Sequence, residues 1–294
     1  MEPIKEPTPL VLVASSPHMH CGLTIGKSMR EVMLALVPAI IASVYYFRMS
    51  AAIVMVTCVV SAIVFETICN KVMHKPNTVQ DGSAALTGLL LAMCLPASMP
   101  PLFAAMGSMF AIVVGKAVFG GLGCNIFNPA HIGRAILLAS FPQQMTNWVL
   151  PATAAASDAV STATPLAVMR ATEKIWQAGG AASAAKLPDL MNLFWGNVGG
   201  SLGETCVPAL VLGGLYLIYK KLIDWRIPVF YLVTVAILTG VYGAVMGYPS
   251  TFPLYHLFAG GLMIGAFFMA TDWVTSPITK KGKIIYAIGL GVLT

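Results

Sequence analysis

The sequence predicts an all-α polytopic membrane protein, and two features of its composition support this. Of the 294 residues, 57% are hydrophobic and only 10% are charged, with a mean hydropathy of +0.82. Soluble globular domains carry about 25% charged residues, so this composition indicates a chain that resides in lipid. The second feature is that Lys and Arg fall in small groups between apolar runs. That distribution is typical of a multispanning protein, and it argues against nucleic acid as the reason for the net charge of +6.

Apolar runs predict about nine membrane spans. These cover residues 31–47, 51–69, 81–95, 102–119, 126–141, 204–219, 227–246 and 254–270, and a ninth begins at Ile284. Only 11 residues remain from Ile284 onward, whereas a span needs about 20. We therefore expect the natural protein to continue beyond residue 294.

The positive-inside rule predicts the orientation of these spans. When residues 1–29 form a cytoplasmic N-terminal arm, the basic groups that follow spans all reach the cytoplasmic side: Lys71, Lys75, Lys220, Lys221, Arg226, Lys280, Lys281 and Lys283. The long polar segment, residues 143–200, then lies on the outer face. It separates a first five-helix membrane half, residues 30–142, from a second half, residues 201–294, which is incomplete at its C-terminus.

An internal repeat is also predicted. Ser28-x-x-Glu31 leads into the first span and Ser201-x-x-Glu204 leads into the sixth, and these two spans cross in opposite directions. An inverted repeat of five plus five helices produces this pattern and places a functional site where the halves meet. The similarity is short, so a chance match explains it equally well.

Three polar stretches interrupt the apolar pattern: residues 81–84, 121–130 and 270–277. Irregular backbone at membrane depth persists only where protein or a wet cavity satisfies it. We expect these stretches, with Asn125 and Asn128, to be broken helix ends that border one cytoplasmic site. Such a site could hold either a bound cation or the ring system of a cofactor. Taken one at a time, each stretch is also explained by a simple turn between helices. The six cysteines show no CxxC pair and no metal-ligand spacing, so no metal site is predicted.

The polar segment contains a hydroxyl-rich motif. Asp158-Ala159-Val160-Ser161-Thr162-Ala163-Thr164 precedes Pro165, and by composition alone it indicates a capped turn in a surface loop. The order Asp-x-x-Ser-x-Ala-Thr resembles the flavin-attachment motif of the NqrB/RnfD family of membrane subunits. In that family the last Thr carries FMN through a phosphoester, and the residue before Ala is usually Gly. Thr162 departs from the pattern, whereas the target residue, Thr164, is present.

The resemblance extends over nearly the whole chain. Residues 81–84, 125–130, 196–204 and 267–272 are similar to the family in order and spacing. The short arm with Ser15-Ser16-Pro17-His18 is similar to the RnfD branch, which belongs to the Rnf complex, because NqrB has a longer N-terminal extension. Family members have ten helices, so the resemblance implies that the tenth lies outside residues 1–294.

The resemblance implies a subunit of a redox-driven ion pump in the bacterial cytoplasmic membrane. Thr164 would carry covalent FMN on the outer face, and Asp158, Ser161 and Ala163 would complete the attachment motif. The Rnf complex passes electrons between ferredoxin and NAD and moves Na⁺ or H⁺. The implied partners are the other Rnf subunits (RnfA, RnfB, RnfC, RnfE and RnfG), membrane lipid, and a flavin transferase that attaches FMN. A bound riboflavin, as in NqrB, is also compatible.

The sequence contains no NAD fingerprint, ferredoxin-type Cys cluster or P-loop. The chain is therefore expected to serve an oxidoreductase without a complete active site of its own. Three alternatives stay open: an NqrB-type subunit of a Na⁺-pumping NADH:quinone oxidoreductase, a small-solute channel or permease, and a purely structural subunit. The motif ending at Thr164 favours the flavin-bearing subunit, because a permease has no use for it.

Two basic residues lie deep in the predicted spans, Lys116 in the fourth and Arg134 in the fifth. A central Lys or Arg costs about 2.5–3.5 kcal/mol on insertion scales, so it is usually paired or functional. A structural role predicts an ion pair with Glu66, Asp81 or Asp272. A functional role predicts a cation facing a reduced flavin or its phosphate, and we favour that role for Arg134.

Overall fold

The computed structural model describes residues 24–76, 78–151, 163–177, 189–204 and 206–294. Within these ranges the regular elements are helices and helical turns, and no β-strand is formed. The all-α prediction is therefore confirmed for the described part of the chain. The motif residues Asp158 and Ser161 lie outside it.

Twelve helices, numbered α1 to α12, occur in the described ranges. They are α1 (Ile25–Val72), α2 (Ser83–Met93), α3 (Pro101–Ile112), α4 (Pro129–Ser140), α5 (Pro142–Met145), α6 (Pro165–Gln177), α7 (Leu190–Trp195), α8 (Val207–Tyr219), α9 (Arg226–Met246), α10 (Phe252–Phe258), α11 (Leu262–Ile264) and α12 (Lys280–Leu293). Two π-helical turns extend this set, Val113–Ala117 after α3 and Gly265–Met269 after α11.

Helix α1 contains both of the first two predicted spans. It is 48 residues long and is interrupted at Arg48, whose φ of 52° and ψ of −133° are not helical. A non-glycine residue with positive φ is uncommon and marks a turn between two helical arms. The arms correspond to the predicted spans 31–47 and 51–69.

Length and hydropathy of the described helices identify fewer complete crossings than the nine predicted. Two helices, α1 and α9, are long and apolar enough, and a third crossing forms if α10 and Leu262–Met269 count as one bent span. Those two segments meet at 65°, so the eighth predicted span, residues 254–270, is a bent pair of helices. The break falls at Ala259–Gly261, where Gly260 has a φ of 72°, because consecutive glycines readily leave the helical conformation.

The core forms where α1 packs against α2, α3 and α8. Almost every residue of α2 is buried, as expected for a helix surrounded by other helices. Glycines permit the closest approaches. A Cβ on Gly88 would lie 2.5 Å from the carbonyl oxygen of Cys58, and a Cβ on Gly213 would overlap the carbonyl oxygen of Ala35.

Two irregular segments meet in the interior, after α2 and before α8. The amide of Leu202 donates to the carbonyl of Leu95 at 3.0 Å, and Pro96 and Ser201 form an isolated antiparallel bridge. The Ser43 hydroxyl donates to the Leu202 carbonyl at 2.6 Å. These bonds satisfy backbone groups that helices cannot satisfy here, which an apolar environment requires.

We predict that Gly213→Ala destabilises the protein by about 1–3 kcal/mol, because the new methyl group must displace the α1 backbone. The free energy of unfolding in detergent micelles measures this. Gly289→Ala in α12 is the matched control, since no neighbouring atom lies within 4 Å of a Cβ at that position. Equal losses in the two variants would contradict the close α1–α8 packing.

Candidate functional site

A cavity of about 1020 Å³ opens between α4, α6, α9, α10 and α12. Pockets for cofactor-sized ligands usually measure about 300–1,000 Å³. Tyr231 and Tyr242 on α9 both line this cavity, and they lie about 16 Å apart along the helix axis. The two tyrosines define the two ends of the cavity.

The Tyr231 end is formed where two polar loops meet. The Asn125 side chain is buried and donates to the Phe127 carbonyl at 3.1 Å and to Asp272 Oδ2 at 3.5 Å. Asn128 caps α4, since its Oδ1 accepts from the amide of Ala130 at 3.0 Å. Phe127 and Asn128 line the cavity from this side, together with Thr275 and Tyr286.

Arg134 lies farther along α4 and lines the cavity. Its Nε is buried without a hydrogen-bond partner, and the described residues provide no acidic group in salt-bridge contact with it, although its charge acts on the buried carboxyl of Glu204. A role for Arg134 as a cation facing a ligand stays a prediction. The pairing with Glu66, Asp81 or Asp272 is not formed.

The Tyr242 end is aromatic and carries two ionisable groups. The ring of Phe252 lies 4.6 Å from that of His256 and 6.1 Å from that of Tyr242, measured between centroids. His256 Nε2 lies 3.9 Å from Glu173 Oε1 on α6, too far for a hydrogen bond, and the described residues offer it no other partner. Partial burial raises the pKa of the Glu173 carboxyl, and nearby Arg170 opposes that shift.

Thr164 stands at the start of α6. Its Oγ1 accepts from the amide of Ala167 at 3.2 Å, and its carbonyl accepts from the amide of Val168 at 3.0 Å, so Thr164 caps the helix. Ala163 is exposed beside it. The same helix lines the cavity with Leu166 and Glu173, so the predicted attachment residue lies beside the mouth of the cavity.

Lys116 is buried in a polar cluster separate from the cavity. Its ammonium lies 2.6 Å from Glu66 Oε1 and 2.6 Å from the Ser83 hydroxyl, and the Thr78 hydroxyl also donates to Glu66 Oε1. The predicted structural pairing of Lys116 with Glu66 is confirmed. Both side chains are only 5% exposed, as expected for charges that are buried as a pair.

The three polar stretches do not border one site as predicted. Stretches 121–130 and 270–277 do meet, through Asn125 and Asp272. Residues 81–84 instead join the Lys116 cluster, where the Ser83 hydroxyl also donates to Asp81 Oδ1 at 2.5 Å. The physical reason is the buried ammonium of Lys116, which draws the nearest hydroxyl and carboxylate groups to itself.

The chain matches the family described as NQR2, RnfD, RnfE over residues 12–294. It belongs to this family. The match spans all the elements described above, including α6 and both polar loops that form the cavity.

Relatives within the family carry consistent names. The chain is 49% identical to the D component of the proton-translocating ferredoxin:NAD(+) oxidoreductase complex of Clostridium ljungdahlii, over 96% of this chain and 84% of the relative. It is 44% identical to the D component of the Na(+)-translocating ferredoxin:NAD(+) oxidoreductase complex of Acetobacterium woodii, over 96% of this chain and 83% of the relative. It is also 40% identical to the D component of the ion-translocating oxidoreductase complex of Rhodobacter capsulatus, over 95% and 83%.

Sequence reasoning missed the residues of the Tyr242 end. His256 falls inside the eighth predicted span, where an ionisable side chain is unusual and would have been a signal. Glu173 gave no signal, because a carboxylate in a polar segment is ordinary. Among the described residues no group of three or more His, Cys, Asp or Glu side chains is placed to hold a metal ion.

We predict that Lys116→Met destabilises the protein by about 3–5 kcal/mol, because it leaves the Glu66 carboxylate buried and unpaired. The double variant Glu66→Gln/Lys116→Met should recover a large part of that loss. Lys220→Met is the control: Lys220 lies 3.7 Å from Glu31 and is 42% exposed, so its loss should cost at most about 1 kcal/mol. Unfolding in detergent measures all three, and a similar loss for both single variants would contradict the buried pair.

Proposed function

We propose that this chain is the flavin-carrying RnfD component of an Rnf-type, ion-translocating ferredoxin:NAD oxidoreductase complex. In that role it relays electrons through covalent FMN on Thr164 while the complex moves Na⁺ or H⁺. The observation that carries the proposal is the position of Thr164, at the start of a helix that lines a cofactor-sized cavity. Family membership and the names of the relatives support the same assignment.

The start of α6 suits a phosphoester on Thr164. Thr164 Oγ1 already contacts the amide of Ala167, and α6 directs its first amides and the positive end of its dipole toward this point. Phosphate groups bind well at helix N-termini for that reason. Ala163 is small and exposed, which leaves room for a flavin transferase, and Asp158 and Ser161 complete the proposed motif.

The Tyr231 end of the cavity fits a second, non-covalent flavin such as riboflavin. Asn128 lines this end, Asn125 supports the adjoining loop through its bonds to Phe127 and Asp272, and Arg134, which also lines the cavity, has a buried Nε available to donate. A flavin bound there supplies one- and two-electron chemistry, while these side chains bind and orient it. The guanidinium of Arg134 favours a ligand that gains negative charge on reduction.

The proposed arrangement in the bacterial cytoplasmic membrane keeps residues 1–29 in the cytoplasm and the segment 143–200, with Thr164, on the outer face. The two membrane halves, residues 30–142 and 201–294, would form an inverted repeat. Two π-helical turns, one in each half, support this, because each precedes one of the polar loops that meet at Asn125 and Asp272. The other Rnf components, RnfA, RnfB, RnfC, RnfE and RnfG, are the proposed partners, and they hold the redox centres for ferredoxin and NAD.

The relatives favour RnfD over the NqrB-type alternative, since the three described above all carry the name of the D component. They also disfavour a stand-alone permease. A purely structural role accounts for the capping hydroxyl of Thr164 but leaves the large cavity without a use.

We predict that Thr164→Ala abolishes covalent FMN, measured as loss of the FMN mass increment on the Thr164 peptide and of in-gel flavin fluorescence. Loss of the helix cap should cost about 0.5–2 kcal/mol, so the protein still folds. The controls are Thr164→Ser, which keeps the hydroxyl, and Thr162→Ala, which removes the neighbouring one. Flavin that remains on the denatured Thr164→Ala chain would show that another residue is modified.

We predict that Arg134→Gln lowers electron transfer at least tenfold while complex assembly and covalent FMN stay unchanged, because the cation lines the cavity and forms no salt bridge within the described ranges, its charge acting on the buried Glu204 only from beyond salt-bridge distance. Turnover of the purified complex and its subunit composition measure the two effects. Arg30→Gln is the control, since Arg30 is exposed and its Nε donates to a carbonyl of its own helix. Unchanged turnover in Arg134→Gln would rule out a cofactor-facing role.

A further inference from the structure

We propose that the Tyr242 end of the cavity is the docking pocket for the isoalloxazine ring of the FMN on Thr164, and that His256 is the hydrogen-bond partner of that ring. This placement rests on the proposed function, because it takes the covalent flavin as given. It adds the residues that would hold the ring, which neither the motif nor the family match identifies.

The position of Thr164 on α6 supports this end of the cavity. Thr164 caps α6, and Leu166 and Glu173 of the same helix line the cavity. Glu173 lies nine residues beyond Thr164, about 13 Å along the helix axis, and it is in contact with His256. Thr164 and the residue that contacts His256 therefore lie on the same helix, and the isoalloxazine ring extends beyond the ribityl phosphate toward that contact. Tyr231 lies about 16 Å from Tyr242 along α9.

An unsatisfied polar atom lies at the same end. His256 Nε2 is buried, and none of the described residues forms a hydrogen bond with it. Leaving such an atom unpaired typically costs about 1–3 kcal/mol, so a ligand group normally completes it. The carbonyl oxygens and ring nitrogens of a flavin are suitable partners. Glu173 Oε1, 3.9 Å from the same nitrogen, is too far away to satisfy it with a hydrogen bond.

The wall of the Tyr242 end has the shape that a planar ring needs. Phe252 is buried with its ring edge-on to His256, and Tyr242 lies beyond it. Aromatic side chains bind planar ligands through large apolar faces and favoured ring geometries. Ala259 and Gly260, which follow His256 in the chain, also line the cavity and add little side-chain bulk to its wall.

Time-resolved flavin fluorescence on the full chain tests this placement. The chain is co-expressed with a flavin transferase, purified in nanodiscs and freed of non-covalent flavin by gel filtration. Tyrosine quenches an excited flavin by electron transfer at short range, so Tyr242→Phe should lengthen the lifetime at least twofold. Tyr231→Phe, at the other end of the cavity, and Tyr255→Phe, on α10 but outside the cavity lining, should leave it unchanged.

Infrared difference spectra of the flavin carbonyls test the role of His256. His256→Leu should move a carbonyl band to higher frequency through loss of the hydrogen bond, and His256→Gln should restore it because the amide still donates. A fluorescence lifetime that changes in Tyr231→Phe instead of Tyr242→Phe, or in neither variant, would overturn the docking pocket. Flavin carbonyl bands that stay at the same frequency in His256→Leu would also overturn it. Mass spectrometry of the same samples distinguishes failure of the docking pocket from failure of the proposed function. Absence of FMN on Thr164 in the wild-type chain would refute the proposed function itself.

Discussion

The fold depends on satisfying backbone hydrogen bonds where helices stop inside an apolar body. Leu95, Pro96, Ser201 and Leu202 lie between helices, and their backbones bond to one another with help from the Ser43 hydroxyl. In lipid, each unsatisfied amide or carbonyl would cost several kcal/mol. This mutual satisfaction permits short helices such as α2 and α8 to exist in a membrane protein. It also ties α1 to the segment that precedes α8.

Broken helices have a consequence for function, because each break creates space or exposes polar groups. The break at Ala259–Gly261 lies in the wall of the cavity, and the loops holding Asn125 and Asp272 adjoin its Tyr231 end. In the Lys116 cluster, by contrast, the ammonium bonds directly to the Glu66 carboxylate and the Ser83 hydroxyl. Two polar regions of similar composition therefore have different uses. One is a structural ion pair, and the other lines a cavity large enough for a cofactor.

Much of the fold and part of the candidate site could be predicted from the sequence alone. The apolar runs located α9 to within one residue at its start and identified both arms of α1, because long lipid-facing segments leave an unambiguous composition. The pairing of Lys116 with Glu66 followed from the cost of an unpaired charge at depth. Thr164 was identified by resemblance, and the structure adds that its hydroxyl caps α6.

Other features depend on contacts that a linear pattern does not encode. The bend of 65° after α10 falls at Ala259–Gly261, inside an apolar run whose hydropathy does not show where the helix breaks. Residues 81–84 joined Lys116 and not the cavity, because three stretches of similar composition have different neighbours in space. His256 and Glu173 are far apart in sequence and come together only when α6 packs beside α10.

A density map of the chain within its purified complex tests the central claim most directly. We expect continuous density from Thr164 Oγ1 through a phosphate and ribityl chain to a tricyclic ring at the cavity. A map in which the Thr164 side chain ends at its own hydroxyl, with flavin density attached elsewhere or missing from this polypeptide, would contradict that claim.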